Sequence, residues 1–324
     1  LKNDGKGNYI PDLAESFTVE DGGRTLKFTL RDNLFFHDNE RLGVEDVIFT
    51  IKNIQNPAWR SPLWRSFEGI EISSPEENVI LVKTPTFTNS FANLFTVGII
   101  PKHIWENVDP KEATLAVWNL KPVGSGAFQF SSFLKSRDGS IRSYQLGRFL
   151  QYHKGAPYIN ELVLYFFPDF ESAVNAVREH TVDGVSFVPE RMRARIPATG
   201  VSVFKASIPR FTGIFFQDRR GPVLREKAVR QALSRALDRE AIATLVPDAE
   251  AAVAPFIENQ VGYARTLIPP AYNLEDAARL LEGAVWKIDG EIWKKNQKPL
   301  AVRLTVLDEP IQLTVADAVR SAWK

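Results

Sequence analysis

Cysteine is absent from this 324-residue sequence. The absence excludes a thiol nucleophile, thiolate metal ligation and disulfide staples, and it agrees equally with an extracytoplasmic and a reducing compartment. Histidine is scarce: His37, His103, His153 and His180 are the only four, and no two fall at the spacing of a helical or hairpin metal pair. Charge of one sign is not in excess. The net charge is +1 with Lys and Arg scattered along the chain, which leaves no basic footprint for nucleic acid. The longest apolar runs, such as Leu162 to Phe167, fall far short of the ~20 residues that a membrane span needs. No G-x-S-x-G elbow occurs, so the strained turn that exposes a nucleophilic serine is not encoded. The sequence opens at Leu1 and closes at Lys324 inside a helix-like pattern, and we expect a processed or trimmed piece whose targeting segment is not visible.

What is present is globular in character. Apolar residues make up 44% and charged residues 24%, and the length calls for two or three domains rather than one core. Leu26, Phe28 and Leu30 alternate with polar residues, which predicts a strand with one buried face. Val44, Val47, Ile48, Ile51 and Ile54 repeat at helical spacing up to the stop at Asn56-Pro57. Further strands are predicted at 69–72 and 78–84, separated by a turn at Ser73-Ser74-Pro75, and a short helix within 99–105. A second strand-rich region covers the Phe128 stretch, 142–146 and 161–167. Asp169 is placed to cap a helix carrying Phe170, Ala173, Val174 and Val177, followed by a short strand at 182–188. Two strand-like runs are predicted in 201–218, an amphipathic helix in 226–237, and a helix 274–282 capped by Asn273. Asp289-Gly290 between apolar neighbours signals a hairpin, 300–306 reads as a strand, and Pro310 opens a final helix. Interleaved strands and helices of this kind give a mixed α/β or α+β class.

Few residues are arranged for chemistry. "PVGSGAFQF" (122–130) sets two glycines against a largely period-two run of Phe128, Phe130 and Phe133. A phosphate cradle needs strand, glycine-rich turn and helix in that order; here Gln129 takes the third glycine's place and a strand pattern follows, which favours an elbow into a strand. His37-Asp38 is either a ligand or base or, more simply, a pair that closes a turn. Glu76-Glu77 and Asp308-Glu309 lie in polar stretches and read as solvated surface, although two acids facing across a cleft would make a glycosidase. Trp59 and Trp64 sit in a polar, proline-punctuated stretch, where they line a ligand groove or pack between domains.

Several blocks taken in order carry a resemblance. "PDLAESFTVEDGGRTLKFTLRDNLFFHDNERLGVEDVIFTIKNI" is similar to a block in which "LAESW", a "TFHLR" strand and an "FHDG" turn precede a helix opening with "DDV". "PVGSGAFQF" resembles "PVGTGPYKF", and "YHKGAPYINELVLYFFPD" resembles the stretch after it. "VRQALSRALDREAI" is similar to "VRQALAYAIDREAI", and "YNLEDAARLLEGAVW" to "YDPEKAKALLAEAGW". The family so resembled is the bacterial extracellular solute-binding proteins of family 5, the oligopeptide, dipeptide and nickel type that serve ABC importers. The resemblance extends over residues 11 to 324. Asn39 departs from the pattern by replacing the turn glycine after His37-Asp38, and Gln217-Asp218 stands where Asn-Thr is frequent.

The resemblance implies a periplasmic-binding-protein fold of class II, with two lobes and an extra N-terminal subdomain. Residues 1–101 would be that subdomain, 102–197 part of the first lobe and 198–324 part of the second, with both ends short of the family pattern. It implies capture of a small-molecule or peptide ligand and delivery to the membrane permease of an ABC importer, by a periplasmic or lipid-anchored cell-surface protein that is a monomer, uses no cofactor, binds no nucleic acid and is not an enzyme. Positions matching ligand-side segments are Trp64, Ser186, Phe187, Thr212, Phe215 and Gln217, the last three on a strand crossing between lobes; ordinary sheet packing is the alternative for each. The resemblance further implies that in peptide-binding members the acidic residue that pairs with the ligand's α-amine belongs to the part of the family pattern after Lys324. Chelated nickel, haem or oligosaccharide as cargo, a sensor or interaction role on the same fold, and a carboxylate-based hydrolase remain the rival readings.

Overall fold

A computed structural model describes residues 1–5, 8–86, 91–186, 188–197, 199–204, 211–219, 221–254 and 266–324. Its backbone packing divides the chain into two compact units, Leu1–Pro197 and Ala198–Lys324.

In the first unit β1 (Lys2–Asn3) and β2 (Tyr9–Ile10) form a small antiparallel ribbon. A four-stranded antiparallel sheet follows, built from β3 (Ala14–Glu20), β4 (Thr25–Leu30), β5 (Glu71–Glu76) and β6 (Val79–Lys83) in the order β3-β4-β6-β5. The predicted alternation holds: Leu26, Phe28 and Leu30 are buried, and α1 (Val44–Gln55) lays Val47 and Ile51 on the same core. These two residues are four apart and so share one helix face. Phe28, Phe67 and Phe91 surround Phe95 with ring centroids 5.2, 5.9 and 5.4 Å from it, distances at which aromatic pairs add to plain burial.

The helix is tied at its start by a buried carboxylate. Asp46 accepts the Gly43 N–H at 2.9 Å and the Lys102 N–H at 2.9 Å. Thr50, also buried, donates to the Asp46 carbonyl at 2.7 Å and accepts the Ile100 N–H at 3.1 Å. Each of these partners is a backbone group that would be costly to bury alone, and together they fix 100–102 beside α1. From there α2 (Lys102–Trp105) leads to a second antiparallel sheet, β7 (Phe128–Lys135), β8 (Ile141–Arg148) and β9 (Glu161–Tyr165), in that order. Asp169 caps α3 (Phe170–Arg178) by accepting the Ser172 N–H at 2.7 Å, and α4 (Glu190–Arg193) follows.

The described residues of the second unit are mainly helical, with one small sheet. It comprises α5 (Pro222–Arg225), α6 (Lys227–Arg235), α7 (Arg239–Thr244), α8 (Leu274–Gly283), the meander β10 (Lys287–Asp289), β11 (Ile292–Lys295) and β12 (Lys298–Pro299), and α9 (Pro310–Ala322). Val229 and Leu233 of α6 pack on Ala277 and Leu281 of α8, with Trp286 closing the cluster. Asn273 caps α8 through the Asp276 N–H. Gly290 takes the left-handed conformation (φ 66°) in the β10–β11 turn, as a two-residue hairpin loop requires.

Four expectations are corrected. Ser73-Ser74-Pro75 is not a turn but a bulged part of β5; β5 is an edge strand, where a missing proline N–H costs nothing, and the chain turns instead at Glu77-Asn78, with Asn78 at φ 58°. The described residues of 182–188 form no strand: the Thr181 and Val182 amides are taken by the Ala176 carbonyl at the end of α3, after His180 turns left-handed. The described residues of 201–218 and the run 300–306 also lack strand pairing; Leu300 donates to the Trp293 carbonyl and the ladder stops there. Alternating side chains favour an extended backbone, but a strand exists only where a second one accepts its hydrogen bonds.

Candidate functional site

The glycine pair at the start of β7 is an elbow. Gly124 and Gly126 lead directly into the strand, and the ring of His37 occupies the concave side of the turn. The Gly124 N–H donates to His37 Nδ1 at 3.2 Å, the His37 N–H donates to the Gly124 carbonyl at 2.8 Å, and Nε2 lies 3.1 Å from the Gly126 carbonyl. Phe149 packs edge-on against the same ring at 5.0 Å. Asn39, in the neighbouring turn where the resembled family places glycine, adopts φ 70°, a conformation that asparagine tolerates better than most residues. His37 thus closes a turn, the simpler of its two readings, while Asp38 bonds His103 Nε2 at 2.8 Å.

A second convergence was not legible in the sequence. Asp12, in "PDLAES", forms an ion pair with Lys154 of "YHKGAP" and lies 3.7 Å from His153 Nε2. Both blocks stand out in the sequence, but nothing in their spacing shows that they meet. Burial pushes the Asp12 carboxyl up; the hydrogen bond and charge of Lys154, with His153 and the amino terminus, outweigh it and hold the group below the usual carboxylate range. The His153 side chain is 3% exposed, and its Nε2 has no hydrogen-bond partner; burial lowers its basicity despite Asp12. Asp12, His153 and the 124–126 turn border a pocket of about 340 Å³ whose deeper wall is core: Phe28, Ile51, Val82 and Phe95. None of the six ligand-side candidates lines it.

Those candidates divide between the two units. Trp64 lies half-buried in a short helical turn after α1, whereas its neighbour Trp59 is engaged in packing, its ring 6.0 Å from that of Trp105. Ser186 is exposed in the segment after α3. Phe187 lies outside the described residues. Thr212, Phe215 and Gln217 belong to one segment of the second unit, which is not a strand here, although its side chains keep a period of two. Ile214 and Phe216 face inward, with Phe216 stacked on Trp323 at 6.4 Å, while Phe215 is 86% exposed and Gln217 is exposed beside it. A Cβ at Gly213 would stand 2.5 Å from the exposed Phe211 ring and would push that ring aside. The segment therefore presents Phe215 and Gln217 on one side, with Thr212, also exposed, on the alternate parity.

Among the described residues no group of three or more His, Asp or Glu side chains is arranged to hold a metal ion, and no helix is long and apolar enough to cross a membrane.

Comparison with known proteins places these features in context. The family model described as bacterial extracellular solute-binding proteins, family 5 Middle, matches residues 8–324. The oligopeptide-binding protein AppA of Bacillus subtilis (strain 168) is 26% identical over 294 residues, covering 88% of this chain and 53% of that protein. The probable di/tripeptide-binding protein 5 of Pseudomonas aeruginosa (strain UCBPP-PA14) is 26% identical over 304 residues, covering 86% of this chain and 56% of that one. Among solved structures, the ABC transporter substrate-binding protein CtaP of Listeria monocytogenes superimposes with a TM-score of 0.79 at 23% identity, over 97% of this chain and 62% of its own. AppA of B. subtilis in complex with a nonapeptide gives 0.72 at 23% identity, over 99% and 65%. The chain spans about half the length of the curated relatives it matches, and the structural likeness establishes the periplasmic-binding-protein fold.

Proposed function

The chain belongs to the bacterial extracellular solute-binding proteins of family 5, and from that premise we propose that it captures a peptide reversibly between two lobes and passes it to the membrane permease of an ABC importer. The observation that carries this reading is the family match, which runs through both compact units. The peptide-binding names of the relatives from B. subtilis and P. aeruginosa support peptide as the cargo.

In this reading residues 1–101 are the extra N-terminal subdomain, 102–197 belong to the first lobe and 198–324 to the second. Trp64, Ser186, Phe187, Thr212, Phe215 and Gln217 face the ligand. Aromatic rings cover its side chains, and hydroxyl and amide groups bond its backbone. The exposure of Phe215 supports its place there, since an aromatic ring left in water gains by being covered. Binding favours closure only by the difference in affinity between the open and closed states, and no bond is made or broken. The protein works as a monomer outside the cytoplasmic membrane.

Thermal-shift and native mass-spectrometric screens of the complete protein test this reading, with defined di-, tri- and longer peptides in one arm. The second arm holds nickel-histidine and iron-EDTA chelates, because solved structures of similar fold, NikZ of Campylobacter jejuni and NikA of Brucella suis, hold such cargo. A peptide at 100 times its dissociation constant should add about 2.7 kcal/mol of stability. Stabilisation by a chelate and by no peptide would replace the cargo; stabilisation by neither would end the reading.

A further inference from the structure

His37 makes two contacts that demand opposite things of its ring. Nδ1 accepts the Gly124 N–H at 3.2 Å and so must be bare, while Nε2 stands 3.1 Å from the Gly126 carbonyl and so must carry the proton. Only the neutral Nε2–H tautomer satisfies both. A proton on Nδ1 would face the Gly124 N–H donor to donor. The ring also receives the edge of Phe149 at 5.0 Å and is held from its own backbone by the bond to the Gly124 carbonyl, so it cannot rotate away without uncovering itself.

We propose that His37 is a proton-sensitive latch: the neutral ring clamps both ends of the Gly124-Ser125-Gly126 turn, and protonation at Nδ1 releases the Gly124 end. The latch joins the loop around the Phe35–Arg41 bridge to the entry of β7, two parts of the first unit separated by more than 80 residues of chain. Charged groups around it act in opposite senses. Burial lowers the basicity of His37, while its bond to Gly126 and the adjacent Asp38 carboxylate raise it, with a net lowering. Asp38 is itself engaged by His103 of α2, and across the turn Asp12 and His153 border the pocket that Gly124 and Gly126 also line, with Lys154 paired to Asp12. The latch is therefore closed at neutral pH and opens on acidification below the ordinary histidine range. The inference does not depend on which ligand the protein carries.

Long-range ¹H–¹⁵N correlation of the imidazole in the complete protein tests it, together with amide exchange at Gly124 followed as a protection factor through a pH titration. We expect the Nε2–H tautomer at neutral pH, a titration midpoint below that of a free histidine, and a fall of about tenfold in Gly124 protection as His37 protonates, the equivalent of one lost hydrogen bond. His37→Asn puts an amide oxygen near the place of Nδ1, so Gly124 protection should lose its dependence on pH. Asp38→Asn should move the His37 midpoint further down. An Nδ1–H tautomer in the unmodified protein, or Gly124 protection that does not follow the His37 titration, would overturn the latch whether or not either variant folds.

Discussion

Asp46 Oδ1 accepts the backbone N–H of Lys102 at 2.9 Å, across 56 residues of chain, while Oδ2 accepts the N–H of Gly43. One buried carboxylate thus starts α1 and anchors the segment that leads to α2. Asp46→Ala would leave two donors without partners, at about 1–3 kcal/mol each. The expected result is a lower denaturation midpoint with an unchanged slope, equivalent to a loss of about 3 kcal/mol. A loss below about 1 kcal/mol would mean that water replaces the carboxylate.

The Asp12–Lys154 pair makes a prediction about acid. The Asp12 carboxyl is held below its ordinary value, so its contribution to stability is present above the unfolded carboxylate range and is lost as pH falls through the lower, folded value. Lys154→Met removes the ion pair and leaves burial to dominate. Carboxyl ¹³C titration should then show the Asp12 midpoint moving up, and acid unfolding should begin at higher pH. An unmoved midpoint would show that Lys154 is not what holds it down.

Trp286 closes the core of the second unit at 3% exposure, and its indole N–H donates to Glu226, which Lys295 also contacts at 3.0 Å. Trp286→Ala should cost about 3–5 kcal/mol. Trp286→Phe keeps most of the volume but loses the bond to Glu226, and should cost less than half as much. Equal losses in the two variants would show that the hydrogen bond, and not the packing, is what matters.

The sequence was most informative where structure is local. Asp169, Asn273, Pro310 and Asp289-Gly290 act within a turn of their own positions, and the structure has a helix or hairpin at each. It was least informative where the outcome depends on a partner far along the chain. The alternation in 211–217 survives as outward Phe215 and inward Phe216, yet no described segment pairs with it. Likewise Asp12 and Lys154, 142 residues apart, each sit in a recognisable block without any sign that they touch. The candidate site shares this limit: the exposure of Phe215 and Gln217 follows from local period, whereas the proposed gathering of these residues with Trp64 and Ser186 around one ligand would depend on a tertiary arrangement that spacing does not encode.

Phe215 and Phe216 offer a comparison of adjacent residues. Phe215 is exposed and Phe216 stacks on Trp323. Phe215→Ala should weaken peptide binding by about tenfold or more while leaving stability within about 0.5 kcal/mol of the original. Phe216→Ala should lower stability by about 2–4 kcal/mol. Calorimetric titration and chemical denaturation separate the two, and a stability loss at Phe215 with binding intact would place that ring in packing instead.

The most direct test of the account is isothermal titration of the complete protein with a peptide identified by the thermal screen, followed by mass spectrometry of the peptide recovered from the cell. The account predicts saturable one-to-one binding, weakened by Phe215→Ala and by Gln217→Ala, with every molecule of peptide recovered at its original mass. Peptide returned cleaved or otherwise altered, or binding indifferent to both substitutions, would contradict it.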